Sequence, residues 1–546
     1  MGSNPSSVRT SVLIIGAGPV GLALAIELGT RGIACIILER NERVGRAPRA
    51  KTTHTRTREH LRRWGIAHDL AAVSPLGIDY PSDVTFVTRL AGYKLAQFKN
   101  AFHCAPARNP LYSEHAQWIP QYTLEETLRT QALKLSSVDI RFSSELLSTS
   151  QSSSGVSSLF RYLDRDAEMT IESDYLVGAD GARSAVRALI GARMEGTYGL
   201  SRNYNFVFHA PGLAQAHQHG PAIMYWQVNS DLPSLIGPMD SGDTWFFMPT
   251  RLPDGLKFTT TDAASAICRS TGIDLAYDVV HSDEWVASQL IADKYRDRRI
   301  FLAGDACHLH PPFGGYGMNM GVADGVDLGW KLAAVIQGWG GPALLDSYVR
   351  ERRPTHETVI AEAVANHSVL ADSFWQEGLE AATAEGARLR QAVGSRIAAS
   401  KAREFHNLGC VLGYCYEDSP VIIPDESAVS PRDSSTYTPS SDPGCVAPHA
   451  WLDDGSSLYD AFGSGYTLLS QHDATHPEIR RASADAHAAG IPLRTVQVPR
   501  SVSGSLYPTA FTLIRPDQHV AWRGEEWDGA KILPLVTGQS ETGRIS

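Results

Sequence analysis

Gly16-Ala17-Gly18-Pro19-Val20-Gly21 places three glycines at the spacing G-x-G-x-x-G, directly after the apolar run Val12-Leu13-Ile14-Ile15. There the first glycine permits a tight turn, the second admits a pyrophosphate against the backbone, and the third allows close strand–helix packing. The helix opening at this point adds bare N–H groups and partial positive charge for the phosphates. Glu39 follows a second apolar run, Ala34-Cys35-Ile36-Ile37-Leu38, and stands 18 residues after Gly21. A carboxylate so placed accepts from both hydroxyls of a ribose and repels a 2′-phosphate. The spacing therefore points to bound FAD or NAD at this site rather than NADP.

Two further segments follow in order. Residues 177–187 contain Asp180-Gly181, and residues 300–319 contain Gly304-Asp305 and the loop Pro311-Pro312-Phe313-Gly314-Gly315-Tyr316-Gly317-Met318-Asn319. With the first glycine motif, these segments resemble the fingerprints of class A FAD-dependent aromatic hydroxylases, the family of p-hydroxybenzoate hydroxylase and phenol hydroxylase. Arg49-Ala50, Arg56-Thr57-x-Glu59, Gln121 to Leu128 and Glu351-Arg352-Arg353-Pro354 agree with the same pattern, which spans roughly residues 10–365.

The resemblance implies that FAD is held by Gly16, Gly18, Gly21, Glu39, Arg49, Gln121, Asp180, Gly304, Asp305, Pro312, Gly315, Gly317, Met318 and Asn319. Asp305 would accept a ribityl hydroxyl. Backbone N–H groups near Met318 would face the flavin edge where negative charge accumulates on reduction. NAD(P)H would serve as a transient reductant, since no second G-x-G-x-x-G is present. The implied activity is hydroxylation of a phenolic or other aromatic substrate with O₂ through a flavin C4a-hydroperoxide. Three alternatives stay open at this point. One is epoxidation or Baeyer–Villiger oxygenation of a polyketide-like substrate on the same fold. Another is a flavin oxidase or dehydrogenase without oxygen transfer, and the third is a catalytically silent FAD- or ligand-binding protein.

The expected substrate pocket uses Tyr225, Trp226, Gln227, Pro312 and Tyr316. Met224-Tyr225-Trp226-Gln227 reads as a strand, so either 224/226 or 225/227 faces inward. Tyr225 and His54 are the candidate catalytic residues. An imidazole with its ordinary pKa near 6.5 suits removal of a phenol proton, while a packing histidine is the competing reading. Lys51 stands where phenol hydroxylase has an acidic residue, so that acid's role is not carried over. His308 and His310 beside Cys307 form a chelating pattern without a second ligand cluster, and no metal is expected. Asp324 and Asp327 read as a solvated or capping helix face.

These residues need a scaffold. The first forty residues read strand–helix–strand, and helices are expected at Thr57–Trp64, Leu124–Leu135, Gly321–Gly338 and Glu377–Phe405. The resulting class is α/β. A Rossmann-like FAD-binding domain takes residues 8–75, 118–190 and 292–365, and a β-rich substrate domain takes 76–117 and 191–291. A helical connection follows at 366–427, and 428–546 resembles the thioredoxin-like tail of the phenol and polyketide hydroxylases. Lacking Cys-x-x-Cys, that tail is expected to be structural or to support a homodimer. The serine-rich stretch 143–159 reads as a hairpin tip.

Composition only bounds this picture. With 546 residues, 43% hydrophobic and 20% charged, the chain is an ordinary globular one. A net charge of −10 disfavours nucleic acid and anionic membrane as partners. Seven scattered cysteines suggest reduced thiols and a cytoplasmic protein.

Overall fold

In the computed structural model, which describes residues 8–42, 50–250, 259–425, 433–499, 502, 504 and 506–540, the first apolar run lies at the centre of an eight-stranded sheet. Strand Val8–Ile15 runs parallel between Cys35–Leu38 and Ala167–Gly178, with Val138–Arg141 and Ile300–Leu302 added outside them. The inner segments are continuously apolar because they are buried on both faces. The expected hairpin is present as Ser144–Gln151 against Val156–Tyr162.

One helix packing explains several glycines. Helix Pro19–Gly29 lies on the long helix Tyr316–Ile336, which carries Gly321, Gly325 and Gly329 at every fourth position. A Cβ there would stand 2.6 Å from Val20 Cγ2, 2.9 Å from the Val20 carbonyl oxygen and 2.7 Å from Glu27 Cγ, respectively. The stripe lets the two backbones approach, and so fixes the distance between the first glycine loop and the Pro311–Asn319 loop.

The second eight-stranded sheet is built around Met194–His209, Asp278–Ala292, Thr244–Pro249, Ser234–Pro238, Met224–Gln227 and Val84–Val87. Its alternation sorts side chains into two cores. Phe86, Met224, Trp226 and Phe246 join Phe313 of the proline–glycine loop on one face. Val87, Tyr225, Phe206 and Phe247 pack beneath helix Thr260–Thr271 on the other.

Helix Pro342–His367 runs through the boundary expected at 365, with Pro354 in its interior. Helix Ala384–Phe405 then lays Val393, Ile397 and Phe405 on the core that holds Trp226. The last sheet runs Leu493–Gln497, Tyr466–Ser470, Phe511–Ile514, Val520–Gly524; the first two are parallel and the other pairings antiparallel. Its core is continuous with Trp330 and Leu344 of the flanking helices and Trp339 between them.

Two expectations are corrected here. Cys415 and Cys445 form a disulfide, so the seven cysteines are not all reduced thiols. The segment at Gly444 folds back beside Tyr416, whose N–H donates to the Gly444 carbonyl at 2.9 Å, and pairs two cysteines that lie 30 residues apart. Asp324 and Asp327 are also not on a solvated face; they are 0% and 1% exposed. Among the described residues no helix is long and apolar enough to cross a membrane.

Candidate active site

Each of the three sequence motifs follows the carboxyl end of a parallel strand, the edge where open α/β sheets bind ligands. Gly16 follows Ile15 and donates to the Leu38 carbonyl at 2.8 Å; Ala179 donates to Ile15, and Ala303 to Gly178. The glycine loop, the Asp180 turn and the Gly304-Asp305 turn are thereby stitched side by side.

The first helix starts at Pro19 with Gly18 as its N-cap and no capping side chain. Nothing lies within 4 Å of where a Gly18 Cβ would be, so the space beside this helix end is open. A Gly21 Cβ, in contrast, would sit 2.0 Å from the Gly16 carbonyl oxygen. The Gly21→Val variant should therefore lose bound flavin. Overpacking against a backbone atom costs about 1–3 kcal/mol or more, and the cost falls on the loop whose glycine spacing matches a pyrophosphate site. The flavin-to-protein absorbance ratio after reconstitution is the measurement, and retention of wild-type flavin content would refute it.

Glu39 is half-buried at the rim. Its carboxylate accepts from Ala17 N at 3.0 Å and from Asn41 N at 2.9 Å, which holds it beside the glycine loop. Gln121 opens helix Gln121–Leu133, accepts from Ala50 N at 3.3 Å and donates to Glu125. Arg49 lies outside the described residues. Asp180 shapes its own turn, accepting from Ser184 Oγ at 2.5 Å and Ala185 N at 2.7 Å.

The second helix end is built the same way. Gly315 caps helix Tyr316–Ile336 without a side-chain bond, leaving its first N–H groups for a ligand. Asp305 and Pro312 are exposed, and Gly315, Gly317 and Met318 are partly so. Two uncapped helix ends, a rim carboxylate and exposed Asp305 line one edge, and this donor set fits an FAD molecule.

Asn319 serves the protein with its side chain. Its Oδ1 accepts from His54 N at 2.8 Å and Thr57 Oγ1 at 2.7 Å, and its Nδ2 donates to Thr52 and Gly315 carbonyls. His54 is buried, and its Nε2 lies 3.0 Å from the Gly314 carbonyl oxygen. Burial lowers the His54 pKa to about 4.

Beneath this loop lies a network that sequence spacing did not reveal. Asp324 accepts from Gly304 N at 2.9 Å, His308 Nε2 at 3.0 Å, Arg352 Nε at 2.8 Å and His356 Nε2 at 2.8 Å. Burial by itself pushes the Asp324 pKa up, but His356, Arg352 and His308 outweigh it and hold the carboxyl well below its ordinary range. Cys307, His308 and Asp324 also have the proximity of a metal cluster. Both Asp324 oxygens already accept two hydrogen bonds each, which accounts for the grouping. The one available signal was Arg352, inside a segment that matched the family.

The substrate side divides the expected residues. Trp226 faces the loop, with its ring 6.0 Å from Phe313 and 5.2 Å from Phe86. Tyr225 and Gln227 point to the opposite face. Tyr225 donates to the Gly220 carbonyl, and Gln227 bonds Leu90 N, Ser234 and Ser270. Neither belongs to a pocket on the loop side, because strand alternation carries them away from it. Tyr316 is likewise buried, packed with Tyr112, Val359 and Val411, and its edge meets His54. Residues unnamed by the motifs join Trp226 and Phe313 in their core: Trp118, Phe102 and Phe246, with Trp118 6.2 Å from Phe102 and 6.4 Å from Phe246. Phe102 holds φ +59°, a strained value for a bulky side chain.

The chain is similar to known proteins over nearly its whole length. Residues 9–363 match the FAD binding domain family and residues 440–537 match the aromatic-ring hydroxylase C-terminal family. Tetracenomycin B2 monooxygenase-dioxygenase of Streptomyces olivaceus is 31% identical over 95% of this chain and 96% of its own. RebC with bound 7-carboxy-K252c superposes with a TM-score of 0.90 at 30% identity, covering 98% of this chain and all of that one. Aklavinone-11 hydroxylase, solved with FAD and aklavinone, gives 0.83 at 28% identity over 97% of this chain and 99% of its own. The chain belongs to the class A FAD-dependent aromatic hydroxylases. It is a flavoprotein monooxygenase, and the alternatives without oxygen transfer are not favoured.

Proposed function

We propose that the chain hydroxylates a phenolic, polycyclic aromatic compound, with FAD resident and NAD(P)H and O₂ as co-substrates. The observation that carries this reading is the aromatic wall of Trp226, Phe313, Trp118 and Phe246, which shares one core beside the Gly314-Gly315 loop. The names of the tetracenomycin and aklavinone relatives support the polycyclic part. When bound, FAD supplies electron storage and oxygen activation, chemistry that belongs to the cofactor.

The chain's own residues then position and shield. Gly18 and the first turn of its helix hold the pyrophosphate, Glu39 the ribose, and Asp305 the ribityl chain. The buried aromatic wall keeps water from the reacting face. In this reading His54 is a positioning residue rather than the base: its Nε2–H donates to the Gly314 carbonyl, and burial keeps it neutral. The strand order of the last sheet supports a thioredoxin-like, structural tail.

Reconstituted protein should be yellow and should consume NADH or NADPH faster when naphthols or larger polycyclic phenols are added. Under isotopically labelled dioxygen, one labelled atom should enter the product. A colourless protein, or hydrogen peroxide as the sole outcome with every aromatic tested, would sink the reading.

A further inference from the structure

Lys51 stands at the seam between the two large sheets. Its carbonyl accepts from Ile119 N at 2.7 Å, and the next residue, Thr52, pairs with Trp118 in a short ladder. Thr52 also lies where a Cβ on Gly315 would touch it, at 3.0 Å. The lysine is thus one residue from the loop assigned to the flavin. Its ammonium reaches the other way and sits 4.3 Å over the Phe246 ring, on the aromatic wall.

Other buried lysines have carboxylates beside them: Lys331 pairs with Asp327 and Glu351, and Lys401 with Glu404. Among the described residues Lys51 has no ion pair, and its only perturbation is burial, which lowers its pKa to about 8. A half-buried cation held by a ring face alone retains hydrogen-bonding capacity for an incoming anion. Trp118, whose ring lies 6.4 Å from Phe246, also lines a small cleft with Tyr80, Ser82, Cys104, Gln117 and Ile223.

We propose that Lys51 is the anion anchor of the substrate site, selecting aromatic ligands that carry a carboxylate or an acidic enol and seating them against Phe246 and Trp118. This rests on the monooxygenase reading above. Phe246 and Trp118 supply the aromatic face, and the ammonium supplies charge-assisted hydrogen bonds that a neutral phenol cannot match.

The test uses FAD-reconstituted full-length protein and calorimetric titration at neutral pH with three naphthalene probes: a hydroxynaphthoate, the acidic enol lawsone, and neutral naphthol. In Lys51→Met, affinity for the charged probes should fall about ten-fold or more, with naphthol binding and flavin content unchanged. Lys51→Arg should retain the anion preference, and Lys51→Gln repeats the test where the methionine variant misfolds. If one charged probe alone responds, it identifies which anionic group is recognised. Equal weakening of all three probes, no anion preference in the wild type, or a drop in FAD affinity would each overturn the proposal. A wild type that fails to bind FAD sinks the monooxygenase reading. A yellow holoprotein whose anion preference survives Lys51→Met overturns this inference alone.

Discussion

Asp324→Asn should yield a protein that retains little FAD and unfolds well below the wild type. Asp324 is fully buried and its two oxygens accept four hydrogen bonds, from Gly304 N, His308, Arg352 and His356. An asparagine turns one of those acceptors into a donor facing donors, and it removes the charge that balances Arg352. Breaking a buried ion pair on one side costs about 3–5 kcal/mol because the remaining charge stays unpaired in the interior. The effect reaches the cofactor through geometry, since the lost Gly304 N–H bond holds the turn that presents Asp305. Flavin content and the thermal midpoint should therefore fall together. A variant that unfolded earlier yet kept stoichiometric FAD would show that Asp324 supports the fold without shaping the Asp305 turn.

The contrast between Asp305 and Asp324 shows how far the sequence was legible. Asp305 and the glycines stand out in the sequence because their signal is local: a turn after a strand, a close backbone approach, a carboxylate at a fixed spacing. Gly18, Gly21, Glu39 and Asp305 accordingly lie together along the strand ends. Asp324 and Asp327 carry no such signal. Two acids three apart on a helix look solvated until the distant partners arrive: Arg352 and His356 for Asp324 and Arg515 for Asp327, from 28 to 188 residues away. The sign of the strand face was also undetermined by Met224–Gln227 alone. Only the neighbours, helix Thr260–Thr271 on one side and Phe313 on the other, decide that Trp226 faces the loop and Tyr225 does not. The Cys415–Cys445 pairing was hidden for the same reason, because it depends on a return of the chain over a 30-residue separation.

The strongest of these distant pairings leads to the second large expected effect. Arg515→Met should release the C-terminal unit from the flavin-binding body, giving early proteolytic cleavage between them and a lowered thermal midpoint. Arg515 follows the strand Phe511–Ile514 and is fully buried. Its guanidinium donates to Glu351 at 2.6 and 2.9 Å, to Asp517 at 2.7 and 3.1 Å, and to Asp327 at 3.0 Å. Lys331 from the long helix also bonds Asp327 and Glu351. Burial pushes the Asp327 pKa up, whereas for Glu351 burial is outweighed by Arg515 and Lys331 and the pKa falls to about 2. Two cations thus face two firmly ionised carboxylates, Glu351 and Asp517. Removing Arg515 leaves Glu351 to Lys331 and strips Asp517 of its guanidinium, again a loss of about 3–5 kcal/mol, concentrated at the contact between the two parts. Arg515→Lys keeps the charge without the planar fork and should fall between methionine and wild type. The added substitution Glu351→Gln in the methionine background removes one stranded charge and should recover part of the midpoint. If that double variant were no more stable than Arg515→Met, packing of the arginine stem rather than its charge would be what joins the two parts.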